Sequence, residues 1–176
     1  MFRNWRISTF NGVLLGAYFI PTWAIIAYRI MIAPVHGLYE RPSISVALFI
    51  SDRLQLASMA TVRVAWLLAL GRFIVVAFFA TFLVFATRAA IRKTGGSHEA
   101  LAIALAIGSA ISFASMWMAS QVGETAALRL HATELLMLLG AAIVLLVERP
   151  AQPLTNPGVT SDDASALEQA NLAYNR

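Results

Sequence analysis

VAWLLALGRFIVVAFFATFLVFAT, residues Val64–Thr87, carries one charge, Arg72, in the middle of an otherwise apolar run. A helix that crosses the hydrocarbon core of a bilayer needs about 20 mostly apolar residues, and this stretch supplies them. Three further windows have the same character: Gly12–Ala33, Ala100–Val122 and Ala127–Val147. The expected fold class is therefore all-α, an integral membrane four-helix bundle.

Composition points the same way. Of 176 residues, 59% are hydrophobic and 12% charged, with a mean hydropathy of +0.72. A soluble domain carries roughly 25% charged residues; with half that, this chain has too little charge to cover a water-facing surface. In lipid, helices associate by packing and hydrogen bonding instead. There is no cysteine, which excludes disulfides, thiolate metal sites, iron–sulfur clusters and covalently attached haem. The net charge is +4, and the basic residues are twelve arginines and one lysine. They flank or interrupt the apolar runs, so the excess reads as membrane topology, and no nucleic acid is expected as a partner. The arginine bias and abundant alanine point to a GC-rich bacterial genome and so to the bacterial cytoplasmic (inner) membrane.

Orientation follows from the excess of Lys and Arg on the cytoplasmic side. Arg3, Arg6, Arg88, Arg92, Lys93 and Arg149 fall on one side, against Arg41 and Arg53 on the other. Both termini and the Arg88–His98 loop are thus expected in the cytoplasm, with Pro34–Ser58 and the Gly123–Thr125 turn outside. The first run is read as a retained helix: Val13–Ala33 is too long for a signal-peptide core, contains Arg29 and is followed by Pro34. Pro21 should kink that helix, and Trp5 and Trp66 are placed as interface anchors.

Between the first two spans, Ile44–Ile50 is apolar but too short to cross, which predicts an outer interfacial or re-entrant segment. Asp52 and Gln55 have capping-box spacing. A helix unbroken from there to Lys93 would be ~60 Å long and would project beyond the bilayer. In the third span Ala102, Ala106, Ala110 and Ala114 recur every four residues, with Gly108 and Ser112 on another face. Such small residues allow close helix approach. Ser97 is its expected N-cap. The domain division is 1–149 for the four-helix transmembrane domain and 150–176 for a disordered or marginally helical cytoplasmic tail, where Pro150, Pro153 and Pro157 cluster.

Ionisable residues inside spans are costly and default to a functional hypothesis. Counted from Arg88 and Arg149, Arg72 and Glu134 both land roughly 5–6 Å outward of the midplane, which predicts a buried structural ion pair. Arg29, Arg63 and Arg129 lie further out, His131 is one turn from Glu134, and His36 follows the first span. One expectation is that Arg29, Arg63, Arg72, Arg129, His131 and Glu134 line an outward-facing cavity for an anionic small molecule or lipid headgroup. Arginine forks suit carboxylate and phosphate oxygens. The competing expectation is that the outer arginines snorkel separately to the interface. His36, His131 and Glu134 are the candidates for a metal or haem site, although more often such histidines are simply polar residues at an interface.

No catalytic motif stands out, and no resident cofactor is expected. Gly95-Gly96 lacks phosphate-loop spacing, and Met116-Trp117-Met118 reads as packing. Thr22, Ser109, Ser112 and Ser115 can bond backbone carbonyls of their own helices. The first span lacks the buried acid expected in small multidrug exporters, and the chain lacks the spaced histidine pairs expected of four-helix b-type cytochromes. The leading functional expectation is a non-catalytic membrane protein: an accessory or assembly subunit, or a lipid-associated protein. Its partners would be membrane lipids and other membrane subunits. A small carrier using the outward Arg/His/Glu cavity is the alternative, and a haem- or metal-binding redox protein the third.

Overall fold

A computed structural model of the chain describes residues 7–87 and 96–148. Every regular element among them is helical. Helix α1 spans Ile7–Ile32, α2 Pro34–Leu38 and α3 Ile44–Phe49, and a π-helical turn follows at Ile50–Leu54. Then come α4 (Ser58–Thr87), α5 (Gly96–Val122) and α6 (Thr125–Val147). The four long helices α1, α4, α5 and α6 are each long and apolar enough to cross a membrane. Expectations for Trp5, the 88–95 part of the loop, Arg149 and the tail 150–176 fall outside the described residues.

The buried positions show why these helices pair. On α6 they are Ala127, His131, Glu134, Leu138, Ala141 and Leu145. On α5 they include Leu101, Leu105, Gly108, Ser112, Ser115 and Ala119. Alternating steps of three and four keep one narrow seam facing the neighbours, as in knobs-into-holes packing. α1 packs along α4, α4 along α5 and α5 along α6, while α1 and α6 meet less extensively and close the ring. Glu148 ties the ends of that closing pair: its Oε2 accepts the Ser8 N–H at 3.1 Å. Outside the seam, Leu67, Leu70, Leu136, Ile143 and Leu146 are exposed. Within the most apolar window of each long helix only 28–39% of residues are buried. In water such faces would aggregate; in a bilayer they are the lipid-facing surface.

The core has two parts. Toward the end where α1 begins and α6 finishes, Phe19 stacks on Phe79 with ring centroids 5.7 Å apart, among Phe82, Leu101, Leu105 and Leu138. Toward the other end, here the loop end, Ile26, Ala27 and Ile30 of α1 meet Ala65 and Ala69 of α4, with Leu38, Val46, Ala47 and Ile50 inserted from the connection. The connection is therefore part of the bundle. α2 starts on Pro34, where a missing N–H costs nothing, and it lies tightly against α1. A Cβ at Gly37 would stand 2.8 Å from Ile30 Cα. α3 buries Ser45, Val46 and Ala47 and packs on α5.

The long helix expected from Asp52 is not formed. Asp52 lies exposed in the π-turn, Gln55 has a left-handed backbone with φ of 45°, and α4 begins only at Ser58. The reason is geometric. Once α3 is held against α5, the chain must turn before it can enter α4, and Gln55 makes that turn. α5 likewise begins at Gly96, so Ser97 sits inside its first turn and not at its N-cap.

Candidate functional site

Apart from Ser8 and Thr9 at the start of α1, the polar side chains buried among the described residues gather where the two cores meet. Arg72 is 2% exposed, His131 2% and Glu134 4%. Arg72 occupies the midpoint of α4 on the seam defined by Ala65, Ala69, Val75 and Phe79. Helical side chains lean toward their N-terminus, which for α4 is the loop end. The guanidinium accordingly reaches toward the connection: Nη1 donates to Ser43 Oγ at 2.9 Å and Nη2 to the Pro42 carbonyl at 3.2 Å.

Glu134 is held from two other directions. Trp23 Nε1 of α1 donates to Oε1 at 3.2 Å, and His131 Nδ1, one turn away on α6, lies 3.0 Å from Oε2. Where Glu134 is ionised it can only accept, and Nδ1 then carries the hydrogen. The indole also faces the arginine, with Arg72 Cζ 5.9 Å from the ring centroid. Trp23 thus presents its positive N–H edge to the carboxylate and its negative π-face to the guanidinium. The two charges share one layer, but they form no direct ion pair. Of the expected direct or water-bridged contact, the direct form is absent: an indole lies against both groups, and each has separate partners. The reason lies in the connection, which brings a hydroxyl and a carbonyl to Arg72 and satisfies its Nη atoms.

The α5–α6 hairpin sets the remaining residues of the layer. Gly108 and Leu138 face each other, since a Cβ on Gly108 would lie 3.4 Å from Leu138 Cδ1. Both are fifteen residues from Gly123 at the turn. By the same count Ser112 stands opposite Glu134, and Ser115 opposite His131. Both serines are buried, and neither hydroxyl has a hydrogen-bond partner among the described residues. The expectation that they bond backbone carbonyls is thus not met, whereas Thr22 Oγ1 does donate to Tyr18 O, at 2.7 Å. Ser45 Oγ of α3, Arg72 Nε and His131 Nε2 are likewise buried without a partner. Among the described residues no hydrogen bond joins Ser115 to His131.

The outer arginines do not join this layer. Arg29 is exposed and pairs with Glu40 of the connection, Nη1 to Oε2 at 3.1 Å. Arg63 and Arg129 are exposed. Their phase explains it: Arg129 falls between the buried Ala127 and His131, and Arg63 precedes the buried Ala65, so both point off the seam. The six residues expected to line an anion cavity therefore divide into a buried trio (Arg72, His131, Glu134) and a surface trio (Arg29, Arg63, Arg129). His36 is also exposed, and the described residues contain no cluster of three potential ligands that would join it to His131 and Glu134.

A surface groove of about 240 Å³ lies on the other half of α5 and α6, lined by Ala102, Leu105, Ala106, Ser109, Leu139 and Ala142 among others. It is apolar and contains no ionisable lining residue. No family model, curated protein or solved structure matches the chain. Functional reading therefore rests on the geometry alone.

Proposed function

We propose that this chain is a non-catalytic component of the bacterial inner membrane, with both termini cytoplasmic, that serves as an accessory or assembly subunit in contact with lipid and other membrane proteins. The supporting observation is the enclosure of its charged core. Arg72 and Glu134 are engaged by Ser43, Pro42, Trp23 and His131 of the same chain, and the surface groove does not reach them. A carrier for anions would need cationic groups facing a common opening. Here the buried arginine is turned onto the connection, and the surface arginines stand apart. What the chain offers its surroundings is an apolar exterior with arginines at the loop end, which suits embedding among lipids and neighbouring helices.

Extraction from native membranes in a mild detergent, with a tag on the full chain, tests this reading. The expected result is one stoichiometric membrane partner that survives gel filtration. Purification of the chain alone, together with uptake of an anionic solute by proteoliposomes, would overturn it in favour of the carrier.

A further inference from the structure

The buried layer contains more hydrogen-bonding capacity than the chain itself uses. His131 Nε2, Arg72 Nε and the hydroxyls of Ser45, Ser112 and Ser115 are enclosed without partners. An amide or hydroxyl buried unpaired costs roughly 1–3 kcal/mol by protein measurements, so a cluster of such groups calls for an occupant. We infer that this layer is a binding site for a small uncharged hydrogen-bonding molecule, occupied by water, enclosed between α3, α4, α5 and α6.

The chemistry of the free atoms selects the occupant. Arg72 Nε is a donor only. His131 Nε2 accepts in the tautomer with its hydrogen on Nδ1 and donates when it carries a hydrogen itself. The hydroxyls do either. An occupant must therefore accept from Arg72 Nε, and one that also donates, such as water, can serve every other group of the layer. It must also be neutral. Arg72 and Glu134 already balance each other within the layer, so a cation would meet the guanidinium and an anion the carboxylate. The buried groups that the surrounding elements contribute are Trp23 of α1, Ser43 and Ser45 at the start of α3, Arg72 of α4, Ser112 and Ser115 of α5, and His131 and Glu134 of α6. A buried water typically makes about three hydrogen bonds to groups of this kind. One bridging Ser115 Oγ and His131 Nε2 would join residues that stand opposite each other across the hairpin, with Ser112 one turn along α5.

This inference does not depend on the accessory role. Nuclear magnetic resonance on the full chain in nanodiscs, with labelled histidine, tests it. The expected signature is a persistent cross-peak between water and the His131 ring, of the kind made by a long-lived internal molecule. Exposed His36 serves as the reference for fast exchange with bulk. Ser115→Ala should weaken that cross-peak. Ser112→Ala and Ser115→Ala should each lower the melting temperature by roughly 2–4 °C, the shift produced by about 1 kcal/mol in a chain of this size. If the site is dry, removing an unpaired hydroxyl relieves a burial cost, and both variants melt higher. Absence of the His131 cross-peak in the unsubstituted protein overturns the proposal whatever the variants do, and that measurement needs no variant to fold.

Discussion

Trp23 Nε1 donates to Glu134 Oε1 at 3.2 Å while its ring faces the Arg72 guanidinium at 5.9 Å. One aromatic side chain on α1 thereby relates two charges on α4 and α6 that do not touch each other. It also fixes the weakest contact of the ring of helices, that between α1 and α6, at a buried polar point.

Replacing Trp23 by Phe keeps most of the ring and its edge-to-face contact with Phe19, at 5.2 Å, but removes the N–H. Glu134 Oε1 is then a buried acceptor without a donor, a loss of roughly 1–3 kcal/mol. Thermal melts in detergent should show a clear drop for Trp23→Phe and a larger one for Trp23→Ala, which also leaves a cavity. A Phe variant as stable as the parent would mean that the bond contributes nothing.

Arg72 and Glu134 should be energetically coupled despite the absence of a direct bond, because each is the counter-charge of the other inside a layer of low dielectric. Removing one partner of a buried charge pair costs about 3–5 kcal/mol, whereas replacing both with apolar residues is often far milder. Arg72→Leu and Glu134→Met should each lower stability strongly, and the double variant should recover part of the loss. A double-mutant cycle measures this; strictly additive losses would refute the coupling.

How much of this could be read from the sequence depends on the range of the contact. The four spans were legible because twenty apolar residues in lipid leave the backbone few choices besides helix. The shared depth of Arg72 and Glu134 was legible by counting along two helices. Their partners were not. Trp23 lies 111 residues from Glu134, and Ser43 lies 29 residues from Arg72 in a connection whose path depends on packing against α5. The divergence of Arg63 and Arg129 was within reach, because the three-and-four spacing through His131 and Glu134 already puts Arg129 on another face. Gln55 was not: nothing local marks it for a left-handed turn.

Topology is the next expectation. The proposed orientation puts the connection outside and residue 94 inside. Ser51 is exposed at the loop end, so Ser51→Cys should react with an impermeant thiol reagent in spheroplasts, and Thr94→Cys only after lysis. The parent chain has no cysteine, so no background labelling arises from it. Reaction at both positions in unlysed spheroplasts would remove the orientation.

Gly37 tests whether the docked connection holds the polar layer in place. Its backbone lies so close to α1 that an added Cβ would stand 2.8 Å from Ile30 Cα and 2.9 Å from Ile30 N. These are backbone atoms and cannot rotate away, so Gly37→Ala must push α2 off α1. Overpacking of this kind costs about 1–3 kcal/mol. The displacement should pass along the chain to Pro42 and Ser43, which hold Arg72. Gly140 supplies the control: it is exposed on α6, and a Cβ there meets nothing within 4 Å. Gly140→Ala should therefore be neutral or slightly stabilising, since glycine is the poorer helix former. The two variants, compared by melting temperature and by labelling of a cysteine at Ser43, which is fully buried, should separate sharply. Gly37→Ala should lower the melt and open Ser43→Cys to reagent, while Gly140→Ala should do neither. If Gly37→Ala melts lower but leaves the cysteine protected, α2 yields without moving the Arg72 contacts, and the connection is not what holds the arginine.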